Sequence, residues 1–168
     1  MVDMKTPRST THHGYADSPI GRLVILTSDD AICGIAVADH DKSPSVPPDS
    51  IEGGPLVDLA RSQLDEYFSG SRTVFDLPLD LDGTEFQQAV WSALLGVPFG
   101  ATASYGDIAE AVDRPTAVRA VGAANGANPI SIVVPCHRVV GADGSLTGYG
   151  WGTGAKRILL DLESANAS

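Results

Sequence analysis

Asn128-Pro-Ile-Ser-Ile-Val-Val-Pro-Cys-His-Arg-Val-Val140 is the stretch on which the reading of this chain turns. Its β-branched run, Ile130 to Val134, predicts a short buried strand, and Pro135 ends it. A thiol, Cys136, follows directly beside an imidazole, His137. A thiol is a useful nucleophile only as thiolate, so it needs neighbours that accept its proton or stabilise its charge. Downstream, Ala155, Ile158, Leu159 and Leu162 form an apolar stripe at helical spacing, and Glu163 lies four residues after Leu159 on the same side. An inward carboxylate there orients the imidazole, and the imidazole, directly or through a water, takes the thiol proton. Cys-His adjacency alone is weak evidence, because most such pairs are structural, and a helix-end glutamate more often tilts to water.

Upstream, Thr84 followed by Gln87 has the spacing of a capping box, and Phe86, Val90, Trp91, Leu94 and Leu95 give a helical apolar face. Val97-Pro-Phe-Gly100 ends that helix. Ser104 is placed to cap a short helix over Tyr105 to Val112, with Asp107 in its first turn. Arg114-Pro115 starts another over Thr116 to Ala124, which Asn125-Gly126 can end in a left-handed conformation. Two short helices joined by a tight turn have the proportions of a helix-turn-helix. The second is chemically odd for a major-groove reader, since it offers Ala, Val and Gly with one long polar side chain, Arg119. Small side chains permit approach to a narrow groove, where one arginine acts as a wedge. The plainer alternative is that Ala120, Gly122 and Ala123 merely pack against a neighbouring helix. After Val140, the run Thr147-Gly-Tyr-Gly-Trp-Gly-Thr-Gly154 lacks the lysine and hydroxyl placement of a P-loop, and reads as a loop whose backbone approaches a ligand closely.

The first half of the chain predicts three short strands: Tyr15-Ala16, Leu23 to Leu26, and Ala31 to Val37, with turns at Ser18–Gly21 and Thr27–Asp30. Asp41 to Gly54 reads as a surface loop. Pro55 suits a first helical position, and Leu56, Ala60, Leu64, Tyr67 and Phe68 give a stripe that stops at Gly70. Thr73 to Leu79 is a further extended segment, with Pro78 marking an edge or an end. Cys33 falls within a strand as a small buried hydrophobe, and His12, His13 and His40 read as solvated rather than as metal ligands. The expected fold is therefore α+β in two lobes. Residues 1–82 form a strand-rich scaffold with one helix, of which 1–12 are expected to be flexible, as are the residues after Glu163. Residues 83–168 form a mainly helical lobe with a helix-turn-helix and a short strand leading to Cys136.

Charge is divided between the halves. Residues 1–113 carry 6 Lys/Arg against 18 Asp/Glu, and residues 114–168 carry 5 against 3. An acidic first half cannot meet phosphates, whereas the second half can, with modest affinity and a shallow salt dependence. No apolar run is long enough for a membrane helix, the polar N-terminus is no secretory signal, and two lone thiols suit a reducing cytosol.

Pro135-Cys-His-Arg-Val-Val140 resembles the active-site signature of the methylated-DNA–protein-cysteine methyltransferases, the O6-alkylguanine-DNA alkyltransferases. The resemblance extends through Pro98-x-Gly100, Ser104-Tyr105-x-x-Ile108-Ala109, Arg119-Ala-Val-Gly122, Asn128-Pro129 and Leu159-Leu-x-x-Glu163, so it covers essentially residues 84–163. It implies DNA repair by irreversible, stoichiometric transfer of the alkyl group of O6-methylguanine, and of O4-methylthymine, from a flipped-out nucleotide to Cys136. By the same resemblance His137 and Glu163 assist deprotonation, and Asn128 braces the turn carrying the cysteine. Tyr105 donates to the departing guanine and crowds the adjacent phosphate. Arg119 fills the stack through the minor groove, with Thr116, Ala120 and Ala123 also facing DNA. The Cys136 and Val139 carbonyls accept from the guanine amine, the Gly150 amide faces O6, and Tyr149, Trp151 and Lys156 line or support the pocket. It further implies no cofactor and no metal, a cytoplasmic and monomeric protein, and double-stranded DNA containing alkylated guanine as partner.

Two other classes remain beside this one: a binding module that recruits other factors without transfer, and a multiple-turnover cysteine hydrolase or transferase acting on a small metabolite.

Overall fold

Strand β2 (Leu23–Thr27) is buried along its whole length, as its unbroken Leu-Val-Ile-Leu run requires of a central strand. It pairs antiparallel with β1 (His12–Ala16) on one side and β3 (Ile32–Val37) on the other, and β4 (Ile51–Glu52) adds parallel to β1. The sheet order is β3-β2-β1-β4. The structure is a computed structural model describing residues 6–167. Helix α1 (Pro55–Phe68), with its proline in the first turn, packs on β1, β2 and β3. It lies so close to β1 that a Cβ on Gly14 would stand 2.3 Å from Cγ1 of Val57, a separation only glycine permits there.

Three details depart from the sequence reading. β1 begins at His12, three residues before the predicted start, and β4 interrupts the supposed loop between Asp41 and Gly54. Thr73 to Leu79 forms no strand: Leu79 makes a single bridge to Ile32. The backbone of Asp76 is satisfied instead by a side chain, its carbonyl accepting from Gln63 Nε2 at 2.9 Å and its N–H donating to Gln63 Oε1 at 2.8 Å. Of the stretch expected to be flexible, residues 1–5 lie outside the described residues. Residues 6–12 are tied by the Thr6 hydroxyl to the Ser45 carbonyl at 2.5 Å and by the Thr11 N–H to the Thr27 carbonyl at 2.8 Å, and His12 then enters β1.

The chain clusters into two compact units. Among the described residues one comprises 6–82 with 129–131, the other 83–128 with 132–167. In the second, α2 (Glu85–Leu95) starts on the expected capping box: the Gln87 N–H donates to Thr84 Oγ1 at 3.1 Å, and the Thr84 N–H to Gln87 Oε1 at 3.0 Å. Strand β5 (Ala103–Ser104) leads directly into α3 (Tyr105–Ala111), capped in the same way by Ser104 and Asp107. α4 (Val118–Gly126) follows after a turn in which Asp113 adopts a left-handed conformation, φ 58°. The helix is shifted from the predicted span, leaving Thr116 in the turn before it. Asn125 and Gly126 continue the helix rather than ending it, because the Ala127 N–H satisfies the last carbonyls and the Asn125 side chain is committed inward. α2 packs against both α3 and α4, and the buried Trp91 indole donates to the Ala124 carbonyl at 2.8 Å.

The approach to Cys136 is tighter than a strand. Ile130 makes one bridge to Ile35, and the chain then turns at Ile132, whose φ of 74° is rare for a β-branched residue. A 3₁₀ turn, Cys136–Arg138, leads into β6 (Val139–Val140), which pairs parallel with β5. α5 (Thr153–Asn166) closes the described chain, continuing three residues beyond Glu163. Among the described residues no helix is long and apolar enough to cross a membrane.

Candidate active site

Cys136, His137 and Arg138 are consecutive in the 3₁₀ turn, and all three are buried. With three residues per turn, successive side chains leave the axis about 120° apart. The thiol and the imidazole therefore diverge, which suits a relay through a water better than direct contact. α5 supplies the partners. Lys156, Leu159 and Glu163 are its buried residues and lie at i, i+3 and i+7, one stripe of the helix. A carboxylate and an ammonium thus reach the same turn from one rigid element.

Glu163 is 1% exposed and accepts three charged or polar contacts: His137 Nε2 at 2.6 Å, Arg138 Nε at 2.8 Å and Arg138 Nη2 at 3.0 Å. The carboxylate fixes the tautomer, since Nε2 must carry the proton it donates, leaving Nδ1 as the bare acceptor. Nδ1 is buried and has no hydrogen-bond partner among the described residues. Burial pushes the imidazole below its ordinary value of 6.5, and Glu163 pulls it the other way. We place the desolvation effect first, because Arg138 already neutralises much of the carboxylate's field. Burial thus holds the His137 ring toward its neutral form.

Burial likewise pushes the Cys136 thiol above its ordinary value of 9.0. Against that stand the Asn128 side chain, the Lys156 ammonium and the backbone N–H groups of Cys136 and His137, each favouring the thiolate. Asn128 is buried and also bridges the Ile132 turn, its Nδ2 donating to the Val134 carbonyl at 2.8 Å. Lys156 is fully buried, with Nζ donating to the Val139 carbonyl and, at 2.9 Å, to the Thr147 carbonyl. Desolvation lowers its proton affinity and Cys136 raises it.

The glycine-rich loop meets α3 at Tyr105. The Tyr105 hydroxyl donates to the Thr147 carbonyl at 3.0 Å, and a Cβ on Gly148, whose φ is 71°, would stand 2.9 Å from the Tyr105 hydroxyl oxygen. Tyr149 is buried, Gly150 and Trp151 are half-buried, and nothing lies within 4 Å of the place a Gly150 Cβ would take. On α4 the exposed side chains include Arg119, Ala120 and Ala123, while Val121, Ala124 and Asn125 are buried. Thr116, also exposed, lies just ahead of the helix. The small residues at 120 and 123 thus lie on an open face, not in a helix contact.

Two residues of this site escape the sequence reading. Arg138 is buried, forks onto Glu163, donates Nη1 to the Val97 carbonyl at 2.7 Å and stacks 5.8 Å from the Phe99 ring centroid. Asn125, read as a helix stop, donates Nδ2 to the Cys136 carbonyl at 3.3 Å. The available signal for Arg138 was its place in a turn where three successive side chains must go three ways.

Fold and site together pair a buried thiol with a helix-turn-helix. The family model described as "6-O-methylguanine DNA methyltransferase, DNA binding domain" matches residues 85–165, and "6-O-methylguanine DNA methyltransferase, ribonuclease-like domain" matches residues 11–81. The methylated-DNA–protein-cysteine methyltransferase of Mycobacterium leprae is 52% identical over 152 residues, 90% of this chain and 92% of the relative. That of Mycobacterium bovis is 48% identical over 156 residues, covering 93% and 94%. A crystal structure of Mycobacterium tuberculosis OGT in complex with DNA superposes with a TM-score of 0.85 at 46% identity, covering 93% of this chain and 94% of that one. The chain belongs to the methylated-DNA–protein-cysteine methyltransferase family.

Proposed function

We propose that the protein repairs DNA by moving the alkyl group of O6-methylguanine, or O4-methylthymine, irreversibly onto Cys136. The observation that carries this is the buried Cys136 thiol. It is held among Asn128, Lys156 and two backbone N–H groups, beside a neutral imidazole tied to Glu163. Sγ attacks the alkyl carbon as the C–O6 bond breaks, and the electron pair leaves on the base. The thiol proton passes to His137 Nδ1 through a water, and Glu163 and Arg138 fix the ring that receives it. The new thioether offers no leaving group, so each molecule acts once.

A base stacked in a duplex cannot reach a thiol this deeply buried, so the nucleotide is extruded at a cost of a few kcal/mol. Arg119, exposed and without a hydrogen bond or ion pair among the described residues, takes its place in the stack from the minor groove. Thr116, Ala120 and Ala123 let the backbone approach. Tyr105 exchanges its Thr147 partner for the departing base, and Val139, Tyr149, Gly150, Trp151 and Lys156 form the pocket around it. The lobe of residues 83–168 does this work while residues 1–82 act as scaffold. The protein acts as a cytoplasmic monomer on double-stranded DNA and needs no cofactor. Its test is the intact mass after incubation with duplex DNA containing O6-methylguanine. One added methyl mapping to Cys136, and none in Cys136→Ala, is expected. Repeated turnover without a mass change would favour a hydrolase instead.

A further inference from the structure

Asn125 is 2% exposed, yet its Oδ1 has no hydrogen-bond partner among the described residues. A leucine has the same branching and heavy-atom count and strands no acceptor, so shape alone does not account for an amide here. Its other end is committed: Nδ2 donates to the Cys136 carbonyl, and because that oxygen can only accept, the orientation of the amide is fixed. The peptide group that carries this carbonyl is the one whose N–H belongs to His137. That N–H is one of the backbone donors that favour the Cys136 thiolate.

Asn125 thus holds the oxygen end of the 136–137 peptide, whose N–H end favours the thiolate. We propose that Asn125 is a positioning residue for the acceptor thiol: it orients and polarises the 136–137 peptide, making its N–H a stronger donor to the thiolate, and so links α4 to the reacting sulfur. Hydrogen bonds in series strengthen one another by roughly 10–30% per bond, so the effect is graded rather than absolute. The inference rests on Cys136 being the alkyl acceptor.

Other groups also set the thiolate's stability. Lys156 faces it from α5, His137 belongs to the same turn with Glu163 and Arg138 behind it, and Asn128 faces it from the segment after α4. α2, which also packs on this turn, buries only Val90, Trp91 and Leu94. Asn125 adds to the Asn128 and Lys156 effects without replacing them.

The test is the pH dependence of Cys136 alkylation by iodoacetamide in the full-length protein, quantified on the Cys136 peptide so that Cys33 does not contribute. Asn125→Leu is expected to raise the midpoint by about half a pH unit, roughly threefold less thiolate below it, with the high-pH plateau rate kept. Asn125→Asp keeps the volume but turns the donor into an acceptor, and is expected to raise the midpoint further. It also serves if the leucine variant does not fold. A midpoint within 0.1 unit of wild type in a folded variant overturns the proposal, as does a lowered plateau with an unmoved midpoint, which marks a purely structural role. Methyl transfer from O6-methylguanine DNA, measured alongside in the wild type, separates the two readings: its absence sinks the repair function and leaves the midpoint shift to be judged by itself.

Discussion

Glu163 holds its buried charge on three hydrogen bonds, two of them from Arg138, so the arginine determines what the histidine experiences. Removing the guanidinium takes two hydrogen bonds from a desolvated carboxylate that still faces His137, and removes the Val97 carbonyl's Arg138 donor. Breaking one side of a buried ion pair costs about 3–5 kcal/mol, far above the value of a surface pair. Arg138→Met is therefore expected to lower unfolding stability by roughly that amount in urea titrations. A loss under about 1 kcal/mol would mean that water reaches Glu163. Trp151 tests the pocket rather than the relay. The indole, half-buried in the glycine loop, is expected to narrow the space for an adduct, so that methyl transfer outpaces benzyl transfer and Trp151→Gly accelerates the benzyl reaction about tenfold. Equal rates for the two adducts in the wild type would place the indole outside the pocket.

At the scale of elements, α4 divides its two faces between separate tasks. Arg119 stands on the exposed face, while Asn125 points inward to the cysteine turn. If Arg119 fills the gap left by an extruded nucleotide, its loss taxes duplex substrates by part of the few kcal/mol that extrusion costs. Arg119→Ala is expected to slow transfer from duplex DNA by about 10–100-fold and from single-stranded DNA much less, measured in single-turnover assays. Equal slowing on both would assign the side chain to simple phosphate attraction. The capping box of α2, the Ser104 cap of α3 and the proline start of α1 were legible in the sequence because each depends on residues no more than three apart. The tight turn at Ile132 was not, since β-branched residues favour strands and the brace from Asn128 to Val134 spans six residues. Asn125 was misread for a related reason: asparagine near a helix end usually marks a stop, and its real partner is eleven residues away. The Glu163 pairing showed the opposite pattern. Periodicity placed it inward against the commoner outcome, and the structure supplies Arg138 as the reason a charge can stay there.

For the whole molecule, the buried relay ties folding to pH. Folding carries His137 from water, where its value is near 6.5, to a site where desolvation holds it lower. Between the lowered folded value and 6.5 the unfolded chain binds a proton that the folded chain refuses. Stability therefore rises with pH across that window, and falls as the solution is acidified through it. Carboxylates elsewhere in this acidic chain add their own acid dependence, so the wild-type curve alone does not isolate the histidine. A comparison with His137→Gln does, because the other groups are common to both proteins. The variant lacks a titrating ring, so its stability is lower at pH 8 through altered packing and hydrogen bonding, but it lacks this particular acid loss. The stability gap between the two is expected to narrow below pH 6.5 by up to about 1.4 kcal/mol per pH unit, the slope of one proton, and to level off beneath the folded value. Urea unfolding at intervals from pH 8 to pH 5 measures it. A gap that stays constant over that range would mean His137 binds its proton equally well folded and unfolded, and the neutral base assigned to the relay would have to be abandoned.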